Sequence, residues 1–297
     1  MYLRNHWYCA ATSAELGPEK IARTFLDQPV LLGRGMDGKP EALEHRRRPV
    51  RSYPVCERHG FVWIWMGDPA RANAARLPDF HWNDDPEWDS VCDRLPIAAD
   101  YFLLVDNLMD LSHVSFLHAN TIGSPDDRSP ELSWDRGPDW VRGTRIMRNC
   151  RPTPRMQKEG IDFNIDRVQL MTYTPPANVV IDLVTTEAGR LPGAAGPHNE
   201  HIVILDSMTP ETARSCHYFW ASARNYRRND PEFSEFIRRM TILAFNEDKD
   251  MLEAEQKIID LDPSAPQIDV AGDAGGLQSR RVFARLLAEE NARQAAE

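Results

Sequence analysis

Thirteen consecutive residues, Asp106-Asn107-Leu108-Met109-Asp110-Leu111-Ser112-His113-Val114-Ser115-Phe116-Leu117-His118, bring together two imidazoles and several side-chain oxygens. On a regular helix Asp110 and His113 are three apart and share a face, as do Asn107 and Asp110. His113 and His118 are five apart, roughly 140° around the axis. They converge on one point only where the helix ends or bulges between them. The HExxH pattern of a zinc hydrolase is absent. Ordinary polar residues on an exposed helix face are the plainer reading of the same stretch.

A second carboxylate bears on that choice. After Pro231 the residues Phe233, Ile237, Met240, Ala244 and Met251 form an apolar stripe at helical spacing, and Asp248 lies on it. Relative to Ile237 it is rotated only about 20°. A carboxylate on a core-facing stripe needs a partner. Arg280 or Arg281 in a buried salt bridge would serve, and so would a metal. Two histidines completed by a distant aspartate make the 2-His-1-carboxylate face, which suits Fe(II) and leaves positions open for oxygen and substrate.

The elements that position these groups follow from pattern. PVLLGRG and GKPEALE flank Met36-Asp37-Gly38, a hairpin-turn composition, and GFVWIW reads as a buried strand ending at Gly67-Asp68-Pro69. Residues 69–95 lack a period and read as a wrapping connection. Residues 99–119 carry the helical pattern above. From 134 to 224, WVRGTRIMR, DFNIDRVQLMTY, NVVIDLVTT, EHIVILDSMTP and RSCHYFWASA are strand-like runs, separated by Pro175-Pro176, Gly189, Gly193 and Pro210. Such spacing predicts an antiparallel sheet, with Phe163, Ile165 and Arg167 on one face and Asp162, Asn164 and Asp166 on the other. A helix is predicted from Pro231 to about Leu261, a break at Asp273-Ala274-Gly275-Gly276, and a last helix from about Gln278 through Val282, Leu286 and Glu289. The expected class is α+β, a sheet with helices on one side.

Composition narrows the function. With 297 residues there is enough chain for a sizeable core, and the formal net charge of −10 argues against nucleic acid or an anionic membrane as the main partner. No apolar run approaches the roughly 20 residues of a membrane span. The start, MYLRNHWYCAATSAEL, has no apolar signal-like segment. The five scattered cysteines (Cys9, Cys56, Cys92, Cys150, Cys216) read as reduced thiols, so a cytoplasmic location is expected. Trp63 and Trp65 are expected in the core. Arg224, Arg227 and Arg228 beside Tyr226 could hold an aromatic carboxylate, or could simply be solvated. Arg280 and Arg281 could anchor the last helix, and His198, His201 and His217 are expected to be structural.

The stretches NHWYCAATSAEL, GFVWIWMGDP, DNLMDLSHVSFLHANTIG, FNEDKDMLEAEQ and DAGGLQSRR occur in this order over most of the chain. In them the chain resembles the oxygenase (alpha) subunit of Rieske-type non-haem iron aromatic oxygenases, and within these the vanillate O-demethylase group. The resemblance implies that His113, His118 and Asp248 are metal ligands to a mononuclear Fe(II). It implies that Asp110 is a bridging carboxylate on the electron path from a neighbouring subunit, and that Asn107 stands near the iron. It implies a Rieske domain followed by a helix-grip catalytic domain, here divided as 1–68 and 69–297, in which a curved antiparallel sheet wraps a long C-terminal helix. It implies a homotrimer, an aromatic acid and O2 as substrates, and electrons from NAD(P)H through a separate flavin/iron–sulfur reductase. The reaction would be oxidative O-demethylation of a methoxy-aromatic.

One part of the family pattern is missing. Its [2Fe–2S] cluster takes two cysteines and two histidines from Cys-x-His and Cys-x-x-His. Here there is no Cys-x-His, and Cys56-Glu57-Arg58-His59 stands alone, directly before GFVWIW. Both ligand hairpins belong between Glu44 and Tyr53, where only HRRRPVRS is found. That arginine-dense stretch reads either as a solvated loop or as the junction of an internal deletion. Residues 1–68 would then be a Rieske-domain remnant, and the chain would have no built-in reductant for its iron. The alternative function is a non-catalytic small-molecule-binding or regulatory subunit of the same fold.

Overall fold

The structure, a computed structural model, describes residues 1–45, 50–124, 126, 130–190, 200–266 and 268–295. Its first part is all β. Strands β1 (Trp7–Thr12), β2 (Ile21–Phe25), β3 (Gln28–Arg34), β4 (Pro40–Glu44), β5 (Ser52–Tyr53), β6 (Val55–Arg58) and β7 (Phe61–Trp65) form two small sheets, ordered β1-β7-β6 and β2-β3-β4-β5. The β3–β4 turn falls where its composition predicts, with Gly38 at φ 77°. Of the stretch between β4 and β5, residues 46–49 lie outside the described residues, and so do His198 and Gly193.

A seven-stranded antiparallel sheet follows, ordered β8-β14-β13-β12-β11-β10-β9. Its strands are β8 (Asp89–Ile97), β9 (Glu131–Arg136), β10 (Val141–Cys150), β11 (Ile165–Thr174), β12 (Asn178–Glu187), β13 (Glu200–Thr212) and β14 (Ser215–Arg224). The helices are α1 (Tyr101–Met109), α2 (Val114–Leu117), α3 (Pro154–Lys158), α4 (Pro231–Leu261) and α5 (Ala274–Gln294). Two strands correct the sequence reading. The supposed connection 69–95 ends in the edge strand β8, whose Val91, Leu95 and Ile97 alternate with Ser90, Cys92, Arg94 and Pro96. Acidic and proline residues hide that alternation. Edge strand β9 is mostly exposed and lacks the apolar density of a core strand.

The sheet is buried on both faces. On one, Val203, Leu205, Phe219 and Ala221 pack with Trp7, Cys9, Trp63 and Trp65 of the N-terminal strands, so Trp63 and Trp65 are core residues. The Thr209 hydroxyl donates to the Cys9 carbonyl at 2.6 Å across this boundary. On the other face Met171, Tyr173, Val179, Tyr218 and Trp220 pack with Val105, Leu108 and Met109 of α1, Ala244, Phe245 and Leu252 of α4, and Phe283 of α5.

Helix α4 has the predicted bounds. Pro231 occupies its first turn, and the Asp230 carboxylate accepts from the Phe233 amide at 2.9 Å. The buried stripe runs Phe233, Ile237, Met240, Ala244, Phe245, Asp248, Leu252 and Gln256. Met251 is 54% exposed, because the stripe advances by four from Asp248 to Leu252 rather than by three. Helix α5 begins at Ala274, not after the glycine pair. Gly275 and Gly276 lie in its first turn because α1 and β9 approach too closely for a side chain. A Cβ at Gly275 would sit 2.2 Å from the Trp134 ring and 2.7 Å from the Met109 carbonyl oxygen. The helix's buried acid is Glu290 rather than Glu289, and its carboxylate accepts from the Arg4 and Asn5 amides.

Candidate metal centre and cavity

The helical run does end between the histidines, after Leu117, and it is also broken ahead of them. Helix α1 stops at Met109, and Asp110 takes an extended conformation (φ −126°, ψ 95°). Its carboxylate then accepts from the Ser112 amide and hydroxyl, both at 2.9 Å, and caps the next turn. A single 3₁₀ turn, Leu111–His113, and the short α2 follow, with His118 just past its end. The passage from 3₁₀ turn to α2 at His113 and the end of α2 before His118 (φ −99°, ψ 23°) remove the angular mismatch of a continuous helix, and the two imidazole rings lie 5.2 Å apart.

His113, His118 and Asp248 each offer one ligand atom, all within 4.8 Å of one another. The Nε2 atoms of His118 and His113 stand 3.1 and 3.5 Å from Asp248 Oδ1. Each outer nitrogen is held. His113 Nδ1 donates to the Asp110 carbonyl at 2.7 Å, and His118 Nδ1 donates to the Glu247 carboxylate at 2.7 Å. Such partners fix ring orientation and leave Nε2 aimed inward. Thr121 Oγ1 also donates to Glu247, at 2.9 Å, and Asn107 Nδ2 donates to Asp248 Oδ1 at 3.1 Å.

The electrostatics are those of a site made for positive charge. Burial works against the imidazolium at both histidines. At His118 the Asp248 and Glu247 carboxylates outweigh burial and raise the pKa. At His113 burial prevails over Asp248 and lowers it. Arg280, one alternative partner for Asp248, is committed elsewhere: it pairs with Asp106 and tethers α5 to α1. Two imidazole nitrogens and a carboxylate oxygen, converging with supported rings, fit a divalent first-row metal with open positions.

Among the described residues no comparable arrangement suits a [2Fe–2S] cluster. Among the described residues the triad is the one group of three or more His, Cys, Asp or Glu side chains that converges. Cys56 lies on β6, whereas His59 sits in the β6–β7 turn at φ 58° with its ring on Asp84 at 2.6 Å. Cys9 and Cys216 are fully buried, which pushes their thiols up, away from the thiolate a cluster needs.

Asp110 is close to the centre through its backbone. Its carbonyl holds His113, while its half-buried carboxylate faces Gly272, where a Cβ would come within 2.5 Å of it. The arginines singled out for an aromatic carboxylate do not reach the centre. Arg224 pairs with Asp89 at 3.0 Å, Arg227 with Asp230 at 2.8 Å and Arg228 with Glu87 at 2.9 Å. His201 bonds Asp182 and His217 bonds the Thr24 carbonyl, both structural contacts.

The triad opens into a cavity between α4 and the sheet. Ile181, Leu183, Ile202 and Ile204 line one side and Ile237, Met240 and Phe245 the other. Polar groups on its wall include Thr153, Arg155, Arg167, Gln169, Ser222 and Thr241. Glu247 and these polar wall residues were not singled out for function by the sequence. Glu247 directly precedes Asp248, and a ligand histidine's need for an outer partner is the signal that points to it.

Residues 97–289 match the family described as the vanillate O-demethylase oxygenase C-terminal domain. The chain belongs to that family of Rieske-type non-haem iron oxygenases. It is 32% identical to the vanillate O-demethylase oxygenase subunit of Pseudomonas sp. (strain HR199 / DSM 7063), covering 98% of this chain and 96% of that one. It is 33% identical to a toluene-4-sulfonate monooxygenase iron–sulfur subunit of Comamonas testosteroni, covering 98% and 99%. The crystal structure of dicamba monooxygenase bound to 3,6-dichlorosalicylic acid superposes with a TM-score of 0.88 at 27% identity, covering 97% of this chain and 98% of that one. The match to the Pseudomonas subunit extends over 341 positions, against 297 residues here, so about 50 of its positions have no residue of this chain opposite them.

Proposed function

We propose that the chain is the catalytic part of an O2-dependent oxygenase acting on a substituted aromatic acid, and that its reaction is O-demethylation of a methoxy group. Hydroxylation of the methyl carbon gives a hemiacetal, which releases formaldehyde and leaves the phenol. The observation that carries this reading is the triad, with both outer histidine nitrogens held and an apolar cavity beside it. His113, His118 and Asp248 would hold the metal. Fe(II) bound there would supply oxygen activation.

The protein's own residues do the rest. Glu247 and the Asp110 carbonyl hold the imidazoles in register. Asn107 donates to Asp248 and fixes its carboxylate. The isoleucine and leucine side chains of β12 and β13 and the face of α4 hold the ring and exclude water. Asp110, half-buried and bonded to His113 through its carbonyl, would be the point where electrons from an NAD(P)H-dependent flavin/iron–sulfur reductase system enter, across a subunit boundary in a trimer. We assign residues 1–68 to a Rieske-domain remnant and 69–297 to the catalytic unit, with the unmatched positions of the relatives falling between Glu44 and Tyr53.

A second reading, a non-catalytic binding subunit, is favoured by one observation, the lack of Cys-x-His. The two readings separate on formaldehyde release. Iron-loaded protein, given 4-hydroxy-3-methoxybenzoate, O2, NADH, a reductase and a separately supplied Rieske protein, should release formaldehyde in step with O2 uptake. No substrate-dependent O2 uptake from iron-loaded, folded protein would favour the binding subunit.

A further inference from the structure

A groove of about 770 Å³ crosses the outer face of the sheet, between the N-terminal strands and the β9–β10 turn. That size suits a small molecule, whose sites measure roughly 300–1,000 Å³. Leu170 and Thr172 of β11 and Val180 and Asp182 of β12 line it, whereas Gln169, Ile181 and Leu183, which alternate with them, line the catalytic cavity. The two spaces therefore lie back to back across one layer of strands. Trp7 and Trp65 line the groove from the N-terminal strands, Trp82 from the segment before β8, and Trp140 from the β9–β10 turn.

Two guanidinium groups in the groove have no countercharge. Arg76 and Arg142 both line it, and among the described residues neither has a carboxylate partner. The Arg142 guanidinium lies over the Trp140 ring, 5.4 Å from its centre, and only its Nε is bonded, to Thr172 Oγ1 at 3.0 Å. The Arg76 guanidinium lies 5.9 Å from the centre of the Trp65 ring, with Nη2 at 3.5 Å from His6 Nε2. A guanidinium can only donate, so that imidazole nitrogen accepts and His6 is neutral. Burial, and after it Arg76, push the His6 pKa down to about 4, in keeping with a neutral ring. Two of the three lining carboxylates are taken by histidines, Asp182 by His201 at 2.7 Å and Asp79 by His81 at 3.1 Å, and the third, Asp139, is exposed. The indoles thus hold the guanidinium planes without neutralising them.

We propose that this groove is a second small-molecule site, which takes a planar aromatic ring bearing a carboxylate or sulfonate, with Arg76 and Arg142 on the anion and indole surface against the ring. The unbonded edges of the two guanidinium groups supply paired N–H donors of the geometry an oxyanion accepts. The half-buried Trp82 and Trp140 rings supply apolar contact for the ring. No carboxylate has to be displaced from either arginine, so the anion replaces water alone. The site needs neither the metal nor electrons, and it stands or falls apart from the reaction proposed above.

The test is equilibrium dialysis of the full chain against naphthalene-2-sulfonate, naphthalene-2-carboxylate and the neutral naphthalene-2-sulfonamide. The better of the two anions should bind about tenfold more tightly than the sulfonamide, an advantage that shrinks as salt is raised, as expected of charge-assisted contacts at exposed arginines. Both arginines are exposed, so Arg76→Gln combined with Arg142→Gln leaves the fold intact. That double variant should bind one anion fewer per chain, hold the sulfonamide within about threefold of the parent, and keep the parent's affinity for Co(II) at the triad. Whichever anion binds more tightly identifies the oxyanion. Equal affinity for the anions and the sulfonamide in the parent would overturn the proposal. So would a folded R76Q/R142Q chain that binds as many anions as the parent with affinity within about threefold, since the anion would then sit in the catalytic cavity. Sedimentation velocity covers the other occupant: a parent oligomer that the double variant breaks, with anion binding unchanged, would give the groove to a second copy of the chain and overturn the proposal too.

Discussion

Glu247 offers the sharpest test of how the metal centre is built. Its carboxylate accepts from His118 Nδ1 at 2.7 Å and from Thr121 Oγ1 at 2.9 Å, so it holds the ring from behind while Nε2 faces Asp248. Replacing it with alanine leaves every ligand in place but frees the imidazole to rotate and removes a negative charge behind it. Losing such an outer partner typically weakens metal affinity by roughly 10–100-fold, which corresponds to about 1.4–2.7 kcal/mol. The Glu247 side chain is 26% exposed, so water screens part of its charge and the lower half of that range is expected. Glu247→Gln keeps an acceptor without the charge, and its loss should be smaller than alanine's. Thr121→Val removes the clamp on Glu247 together with a longer 3.3 Å bond to the His118 carbonyl, and should cost a few-fold. The assay is anaerobic Co(II) or Fe(II) competition against a chelating dye, with thermal unfolding to show that the variants are folded. A folded E247A that binds metal within twofold of the parent would show that His118 needs no such support.

Three further outcomes follow from the packing and the buried charges. Gly275→Ala drives a methyl group into the Trp134 ring and the Met109 carbonyl, so urea unfolding should show a loss of about 1–3 kcal/mol, with weaker metal binding because α1 shifts. Glu290→Ala strips the acceptor from the Arg4 and Asn5 amides, and the same assay should show a loss of about 2 kcal/mol. Asp206 is fully buried on β13, and burial, with Asp248 nearby, pushes its pKa up to about 7 against the Tyr218 hydrogen bond. Its folded value lies above its unfolded one, so its stabilising contribution is complete below about pH 4 and is lost as pH rises towards 7. Asp206→Asn cannot lose it, so variant-minus-parent stability should rise over that window by on the order of 4 kcal/mol in metal-free protein. A flat difference would mean that Asp206 is ionised in the fold.

Much of this architecture is legible in the sequence because the signals are local. Asp230-Pro231 and the apolar stripe set the start and face of α4, and the five-residue spacing of His113 and His118 demands the helix end that falls after Leu117. What escapes is set by tertiary contacts. β8 is hidden because its inward residues alternate with polar and proline residues on an edge strand. The start of α5 is misplaced because Gly275 and Gly276 read as a breaker, when their smallness serves the contact with α1 and Trp134. The arginine cluster at 224–228 looks like an anion site only until Asp89, Asp230 and Glu87 are seen to occupy it. Arg167 and Gln169 carry no motif, and only the pairing of β10 with β11 turns them toward one cavity.

A mononuclear metal centre in a chain that lacks Cys-x-His has a simple analytical signature: iron and acid-labile sulfide per chain on anaerobically purified protein, with a visible spectrum, for the parent and for His113→Ala. The parent should hold about one iron, with no sulfide and no red-brown colour, and H113A should lose that iron. About three irons with about two sulfides would contradict the missing cluster. No iron after anaerobic addition of Fe(II), or iron that persists in folded H113A, would contradict the triad.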